Sequence, residues 1–462
     1  MGSTWLKLYS SSSSVAPVGE LPALRQVPPA NPEQSRKHYP GANRPEFLYL
    51  VPMSKLKKRL SYLGPGFIVA ATGVGAGDLI AASVVGARYG TVILWAALLG
   101  GVLKFTLNEG IARWQFATGE TLLEGWIHRL PKWISWYFFA YLLLWSFVVA
   151  GALISFCGLA GQTLLPIHPD ERIGTFIWGA LQSVLAAVLV LGGSYRLLEK
   201  LMQLFIGLMF IVVIASAWGL APDWSSILPA LVIPRLPEAP EAVLLTLGLV
   251  GGVGGSVTLL SYAYWLAEKG WAHPNFMKRA RIDLGTAYTL TSLFGIALII
   301  IAAGASPEAV EGYGMILSLA SELEAATGPV GRWGFLIGFW GAVFSSMLGV
   351  WDGVPYIFAD FVRTYQQKTG RHRLLRPTLP YRLFLGFLAF PPLIIVWWSK
   401  PAWIGILYAV TGAFFMPFLA AVLLYMNNRT AWLGSARNGW MANIGLGLSL
   451  LLFFALFITK LL

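Results

Sequence analysis

Eleven apolar runs follow one another along most of the chain, each close to the ~20 residues a helix needs to cross a hydrocarbon layer. They span Gly66–Ala87, Thr91–Ala112, Trp136–Leu159, Ile173–Leu191, Leu201–Leu220, Ala242–Leu266, Leu284–Ala303, Trp333–Tyr356, Leu383–Trp398, Trp403–Tyr425 and Met441–Ile458. A soluble fold has no use for such a series, whereas in lipid a helix satisfies its own backbone. Composition agrees: 56% of the 462 residues are hydrophobic and 12% charged, against roughly 25% charged in soluble domains. The fifty glycines and twenty tryptophans suit helices packed in a bilayer with interfacial aromatics. The single cysteine excludes a disulfide framework and a thiolate metal cluster. The chain reads as an all-α, multi-pass integral membrane protein with the lipid bilayer as its solvent.

The net charge of +12 does not form a phosphate-binding face, so nucleic acid is not the partner. The basic residues collect in short segments between apolar runs. With the N-terminus inside, only Arg88, Arg172, Arg235, Arg332, Lys400 and Lys460 fall outside, six of 33. This bias predicts a cytoplasmic N-terminus and an external C-terminus, in a plasma or bacterial inner membrane. Residues 1–45 are polar and proline-rich, with five consecutive serines from Ser10 to Ser14, and read as a disordered cytoplasmic tail. Residues 46–462 form the membrane domain, behind a basic collar at Lys55, Lys57, Lys58 and Arg59. Segment nine, with Pro391 and Pro392, is the weakest span. Met315–Ala326 reads as a short amphipathic helix on the outer face.

Two segments carry glycine clusters that a continuous helix would avoid, since each glycine costs up to about 1 kcal/mol against alanine. The first reads Thr72-Gly73-Val74-Gly75-Ala76-Gly77-Asp78, and the sixth carries Gly251-Gly252-Val253-Gly254-Gly255-Ser256-Val257. Irregular backbone at membrane depth is tolerated where protein or a polar cavity satisfies it. The clusters lie five segments apart, an odd spacing that inverts the second half relative to the first. Paired glycine-interrupted helices in inverted halves point to a transporter site. The expectation is non-helical backbone at 73–78 and 251–256, the two facing each other across a central cavity. Close helix packing through small residues is the alternative for either cluster alone.

Ionisable residues inside the spans are functional candidates by default. Asp78 leads, at the first break. Asp352 stands even between a pathway role and a pairing with Arg382. Lys104 and Glu109 in segment two are possible gating or pathway residues, more simply read as structural. Ser345 and Ser346 are possible neutral oxygens. All five histidines fall in loops or the tail, and neither break holds a methionine. No nucleotide-binding loop is present, so ATP-driven pumping is not expected, and no cofactor is called for.

Gly64-Pro65-Gly66-Phe67, the broken first helix, and Ala112-Arg113 with Ala117-Thr118-Gly119-Glu120 resemble the NRAMP divalent-metal transporters. So do Arg279 to Gly285 opening segment seven, the outer amphipathic helix before Gly328-Pro329, and Pro417-Phe418 in segment ten. The resemblance covers roughly residues 60–460. It implies the fold of the amino acid–polyamine–organocation superfamily, two inverted five-helix repeats with helices one and six unwound around the substrate. The repeats would then cover about 60–221 and 240–426, with an extra helix at 438–460. The family's Asp-Pro-Gly-Asn aligns with Gly75-Ala76-Gly77-Asp78, and its Met-Pro-His with Gly255-Ser256-Val257. Its ligand aspartate is therefore Gly75 here, its thioether is absent, and its helix-ten glutamine aligns with Ala409. Its helix-three acids have no counterpart.

The leading functional expectation is a secondary transporter of a small cation, with a divalent metal ion foremost, through an altered site. Asp78, the hydroxyls of Thr72 and Ser256, and backbone carbonyls make a hard oxygen set that suits Mg²⁺, Ca²⁺ or Mn²⁺. A transporter of an organic solute such as an amino acid or amine is the alternative, with carboxylate held at exposed helix N-termini. A non-transporting membrane sensor is the third. None of the three is an enzyme. Substrate, coupling ion and oligomeric state are not legible in the sequence.

Overall fold

A computed structural model describes residues 64–461, apart from 194, 221–222, 240, 253, 272, 305–314, 368–374 and 377. The N-terminal tail and the basic collar lie outside the described residues. The side chains of Ala76, Gly77 and Asp78 do so as well.

All described regular structure is helical. The first apolar segment is two helices, α1 (Pro65–Gly73) and α2 (Ala76–Tyr89). Then come α3 (Leu94–Thr118), α4 (Leu122–Arg129), α5 (Lys132–Leu164), α6 (Glu171–Gly192), α7 (Tyr195–Gly219) and the short α8 (Trp224–Val232). The sixth segment is again two helices, α9 (Ala242–Gly252) and α10 (Ser261–Glu268), joined through a 3₁₀ turn at Val257–Leu260. It is followed by α11 (Met277–Ala302), α12 (Met315–Thr327), α13 (Pro329–Tyr365), α14 (Leu379–Ala389), α15 (Leu393–Trp398), α16 (Pro401–Asn427) and α17 (Trp440–Leu461). Nine stretches among the described residues are long and apolar enough to span a membrane. The broken first segment and α17 complete the eleven read from the sequence.

Local chemistry sets the ends. Gly119 takes φ +73° to close α3, and Thr121 and Glu124 then form a reciprocal capping box on α4. This accounts for Gly119 of the Thr-Gly-Glu motif after segment two. Segment nine is two helices rather than one, because Pro391 and Pro392 end α14 and α15 starts just beyond them. In α12, Ile316, Leu319, Ala320 and Leu323 are buried on one face, as its amphipathic pattern requires.

Both expected breaks are present, with shifted bounds. The first is shorter than 73–78: only Val74 and Gly75 separate α1 from α2, and Asp78 lies within the first turn of α2. The second starts later than 251, since α9 runs through Gly252. It turns on Gly254 and Gly255, at φ +75° and +83°, a backbone region that favours glycine.

Where Gly73 meets Gly254 and Gly255 the breaks are in direct contact rather than facing each other across a cavity. A methyl added at Gly73 would lie 2.5 Å from the Gly254 carbonyl carbon and 2.9 Å from the Gly255 nitrogen. Glycines at both positions let the two interrupted helices touch backbone to backbone. A small void of about 10 Å³ lies between α2, α9 and α16 and is lined by apolar residues including Ala81, Leu245 and Ala409. It has room for about one water.

Candidate transport site at the two helix breaks

A helix that stops mid-bundle frees carbonyls, and each needs a partner. At the first break, Gly75 would have bonded the Ala71 carbonyl in a continuous helix. That carbonyl instead accepts a hydrogen bond from the Ser346 hydroxyl of α13 at 2.7 Å. Gly75 has no side chain because there is no space for one: an added Cβ would sit 2.1 Å from Ser346 Oγ. Thr72 donates to Ile68 of its own helix at 2.6 Å. Gly349 of α13 packs directly on the Thr72 hydroxyl. Of the serine pair in α13, Ser345 turns back onto Ala342 within its own helix, and Ser346 alone reaches the break.

At the second break the same accounting frees two carbonyls. The Gly255 amide bonds Gly252 instead of Gly251, and the Leu259 amide bonds Ser256 instead of Gly255. The carbonyls of Gly251 and Gly255 therefore lose their helical partners. Both accept hydrogen bonds from the ammonium of Lys104, at 2.8 Å for Gly251. Lys104 lies in α3 and is 1% exposed. Thus it is a buried cation set into the broken helix, a more specific place than its structural reading gave it. Beside it, Asn108 accepts no bond at its amide oxygen but donates to the Tyr288 hydroxyl of α11 at 3.0 Å.

Ser256 and Trp145 add two more unsatisfied polar groups. The Ser256 hydroxyl and the Trp145 indole N–H are buried without a hydrogen-bond partner. Gly412 of α16 lies between them: its added Cβ would be 3.0 Å from Ser256 Oγ and 3.8 Å from Trp145 Nε1. Buried polar atoms are rarely left unpaired without a reason. Val257 opens the 3₁₀ turn after Ser256 and is fully buried.

The other ionisable candidates lie elsewhere. Glu109 pairs with Arg113 at 2.6 Å and with Arg281 at 2.9 Å, joining α3 to α11 away from the breaks. Asp352 is fully buried, and Arg376 rather than Arg382 is its cation, at 2.5 Å. It also accepts from Trp265 of α10 at 3.0 Å and Tyr381 of α14 at 3.3 Å. Burial works against the Arg376 cation, but the adjacent Asp352 carboxylate outweighs it and raises the guanidinium above its usual range. This cluster ties α10, α13 and α14 together at the end of the bundle that carries the basic loops.

Two buried acids at that end escaped the sequence reading. Asp283 of α11 accepts from the Gly64 and Gly66 amides at 2.9 and 2.6 Å and from the Tyr262 hydroxyl at 3.2 Å. It is the N-terminal cap of α1, which has no cap of its own. Asp360 of α13 accepts from Thr121 and Tyr264 and pairs with Arg363. Their signal was a carboxylate near the start or end of an apolar run, where proximity to a loop suggests solvent. Among the described residues no three His, Cys, Asp or Glu side chains converge on a metal-sized point.

The sequence profile described as natural resistance-associated macrophage protein-like matches residues 66–462. The chain belongs to the NRAMP family. A divalent metal cation transporter, MntH, of Verminephrobacter eiseniae is 27% identical over 261 residues, 53% of this chain and 56% of that protein. The MntH of Caldanaerobacter subterraneus is 25% identical over 63% of this chain and 69% of its own. The alignments thus span between about half and two thirds of these relatives. A manganese transporter of Eremococcus coleocola has the same fold, with TM-score 0.70 at 16% identity, covering 89% of this chain and 88% of that one. MhsT, solved with L-phenylalanine, shares the fold at TM-score 0.53 and 20% identity, over 86% and 98% of the two chains. Where the two breaks meet, Gly75 is pressed against Ser346 and Gly255 serves the turn, and Ala409 lines the small apolar void between α2, α9 and α16.

Proposed function

We propose that the chain is a secondary transporter of a small cation, foremost a divalent metal ion, with its N-terminus cytoplasmic. The observation that carries this is the meeting of the two helix breaks, Gly73 against Gly254 and Gly255, inside a bundle of NRAMP descent. A broken helix in each half gives a site that either side of the membrane can reach by rocking one half against the other. Asp78, Thr72, Ser256 and the backbone around Gly75, Ala76, Gly77, Gly255 and Val257 form the proposed substrate set. Asp78 supplies the carboxylate. Asp352, Ser345, Glu109 and Lys104 were read as possible gate or pathway residues. Of these, Asp352 fits a gate at the basic end and Lys104 fits the site itself, while Ser345 and Glu109 are bonded within or beside their own helices. The free energy for transport would come from an ion gradient or the membrane potential, worth about 2.3 kcal/mol per charge per 100 mV.

Uptake into proteoliposomes tests this reading. Under an imposed inside-negative potential, Mn²⁺ or Mg²⁺ should enter, and Asp78→Asn should weaken cation binding tenfold or more, roughly 1.4 kcal/mol. With no thioether at Gly255 and no amide at Ala409, hard oxygens follow charge, size and hydration. Cd²⁺ should therefore bind no better than Mg²⁺. Tight Cd²⁺ binding, or an Asp78→Asn protein that binds as wild type does, removes the oxygen-site account.

One observation favours an organic solute instead. The unpaired Trp145 N–H beside Ser256 is a donor, which suits an acceptor such as a carboxylate and not a metal ion. Thermal stabilisation by amino acids, in the absence of any response to metal ions, would put that reading first.

A further inference from the structure

A divalent ion bound by the carbonyls that the second break frees would sit about 2.0–2.6 Å from them. The Lys104 ammonium already holds both, the carbonyls of Gly251 and Gly255. Two cations cannot share the same pair of oxygens at such range in a buried site, because their repulsion grows as the dielectric falls. Lys104 is also placed with care. It rises from α3, which is held close to α11 where Gly101 packs on Ser292. The two carbonyls that the break frees are the two to which the ammonium donates, while the amides of Gly255 and Leu259 that would have bonded them turn to Gly252 and Ser256.

We propose that Lys104 is a tethered competitor for the transported cation: its ammonium occupies the carbonyls of Gly251 and Gly255, and a substrate cation gains them only when the ammonium leaves. This rests on the small-cation reading. Lys104 then sets the affinity and selectivity of the site. Without cargo, it holds the unwound helix together in place of the ion. With cargo, the Lys104 side chain must swing along α3, and a weakly binding ion cannot displace it. The sequence position of Lys104, one span from the first break and four from the second, gives no hint of this.

Calorimetric titration with MnCl2 and MgCl2 tests the proposal on purified wild type, Lys104→Met and Lys104→Arg. Methionine keeps the length and removes the charge and the donors, and arginine keeps the charge. Lys104→Met should bind Mn²⁺ at least tenfold more tightly than wild type, while Lys104→Arg should bind no better than wild type. Lys104→Met without metal should also be less heat-stable than wild type and should recover when Mn²⁺ is added. If Lys104→Met does not fold, Lys104→Gln carries the same expectation, since the amide is neutral and can still donate to one carbonyl. Equal or weaker Mn²⁺ binding by the neutral variant, with wild type binding measurably, overturns the proposal and leaves Lys104 a structural prop. Folded wild type and folded neutral variant that both ignore Mn²⁺ and Mg²⁺ overturn the small-cation reading, and this inference with it.

Discussion

At the residue scale, the glycines of the sixth segment serve different ends. Gly254 needs its positive φ, and an added Cβ would lie 2.6 Å from the Tyr288 ring. Gly248, six residues earlier and within α9, has helical backbone and ordinary contact 3.6 Å from Ala409. Gly254→Ala should therefore cost about 2 kcal/mol or more, from left-handed backbone and overlap together. Gly248→Ala should be neutral or stabilising by up to about 1 kcal/mol. Thermal unfolding in detergent compares the two, and equal midpoints would show that the turn at Gly254 is not held as described. The same distinction was invisible in sequence, where both glycines belong to one cluster.

At the element scale, the short helices beside the breaks depend on neighbours for their ends. α1 is nine residues long and starts at Pro65, so its first amides have no side-chain cap of their own. Asp283 supplies one from α11, and Lys269 with Glu199 closes over Gly64. Asp283→Ala would strand the Gly64 and Gly66 amides in a buried place, at about 1–3 kcal/mol for an unsatisfied group. A lowered thermal midpoint is expected. Asp283→Asn, which can still accept at one oxygen, should lie between the alanine variant and wild type. An alanine variant as stable as wild type would mean that α1 is not anchored there. Together with the Asp352–Arg376 and Asp360–Arg363 clusters, this pinning holds α1 and α10 against the bundle at the basic end. An inward opening would have to release these contacts.

At the scale of the whole molecule, topology is the open quantity. Native Cys157 is buried, so an engineered surface cysteine reports its own side. Lys278 in the first turn of α11 and Glu171 at the start of α6 are both exposed. With the N-terminus inside, Lys278→Cys should react with an impermeant maleimide only after cells are opened, and Glu171→Cys in intact cells. The reverse pattern would invert the topology drawn from the basic residues. The sequence alone determined the spans, because twenty apolar residues and the charge between them are properties of the chain read in order. It also located both breaks, because glycine clusters are costly in a helix wherever they stand. What it could not decide was pairing across the bundle. Ser346 rather than Ser345 fills the first break, Arg376 rather than Arg382 meets Asp352, and Lys104 enters the second break from a helix with no break of its own. Each depends on which face of one helix meets which face of another, and a rotation of one residue, about 100°, redirects every such contact. That rotation is fixed by the packing of the whole bundle, which only the tertiary structure contains.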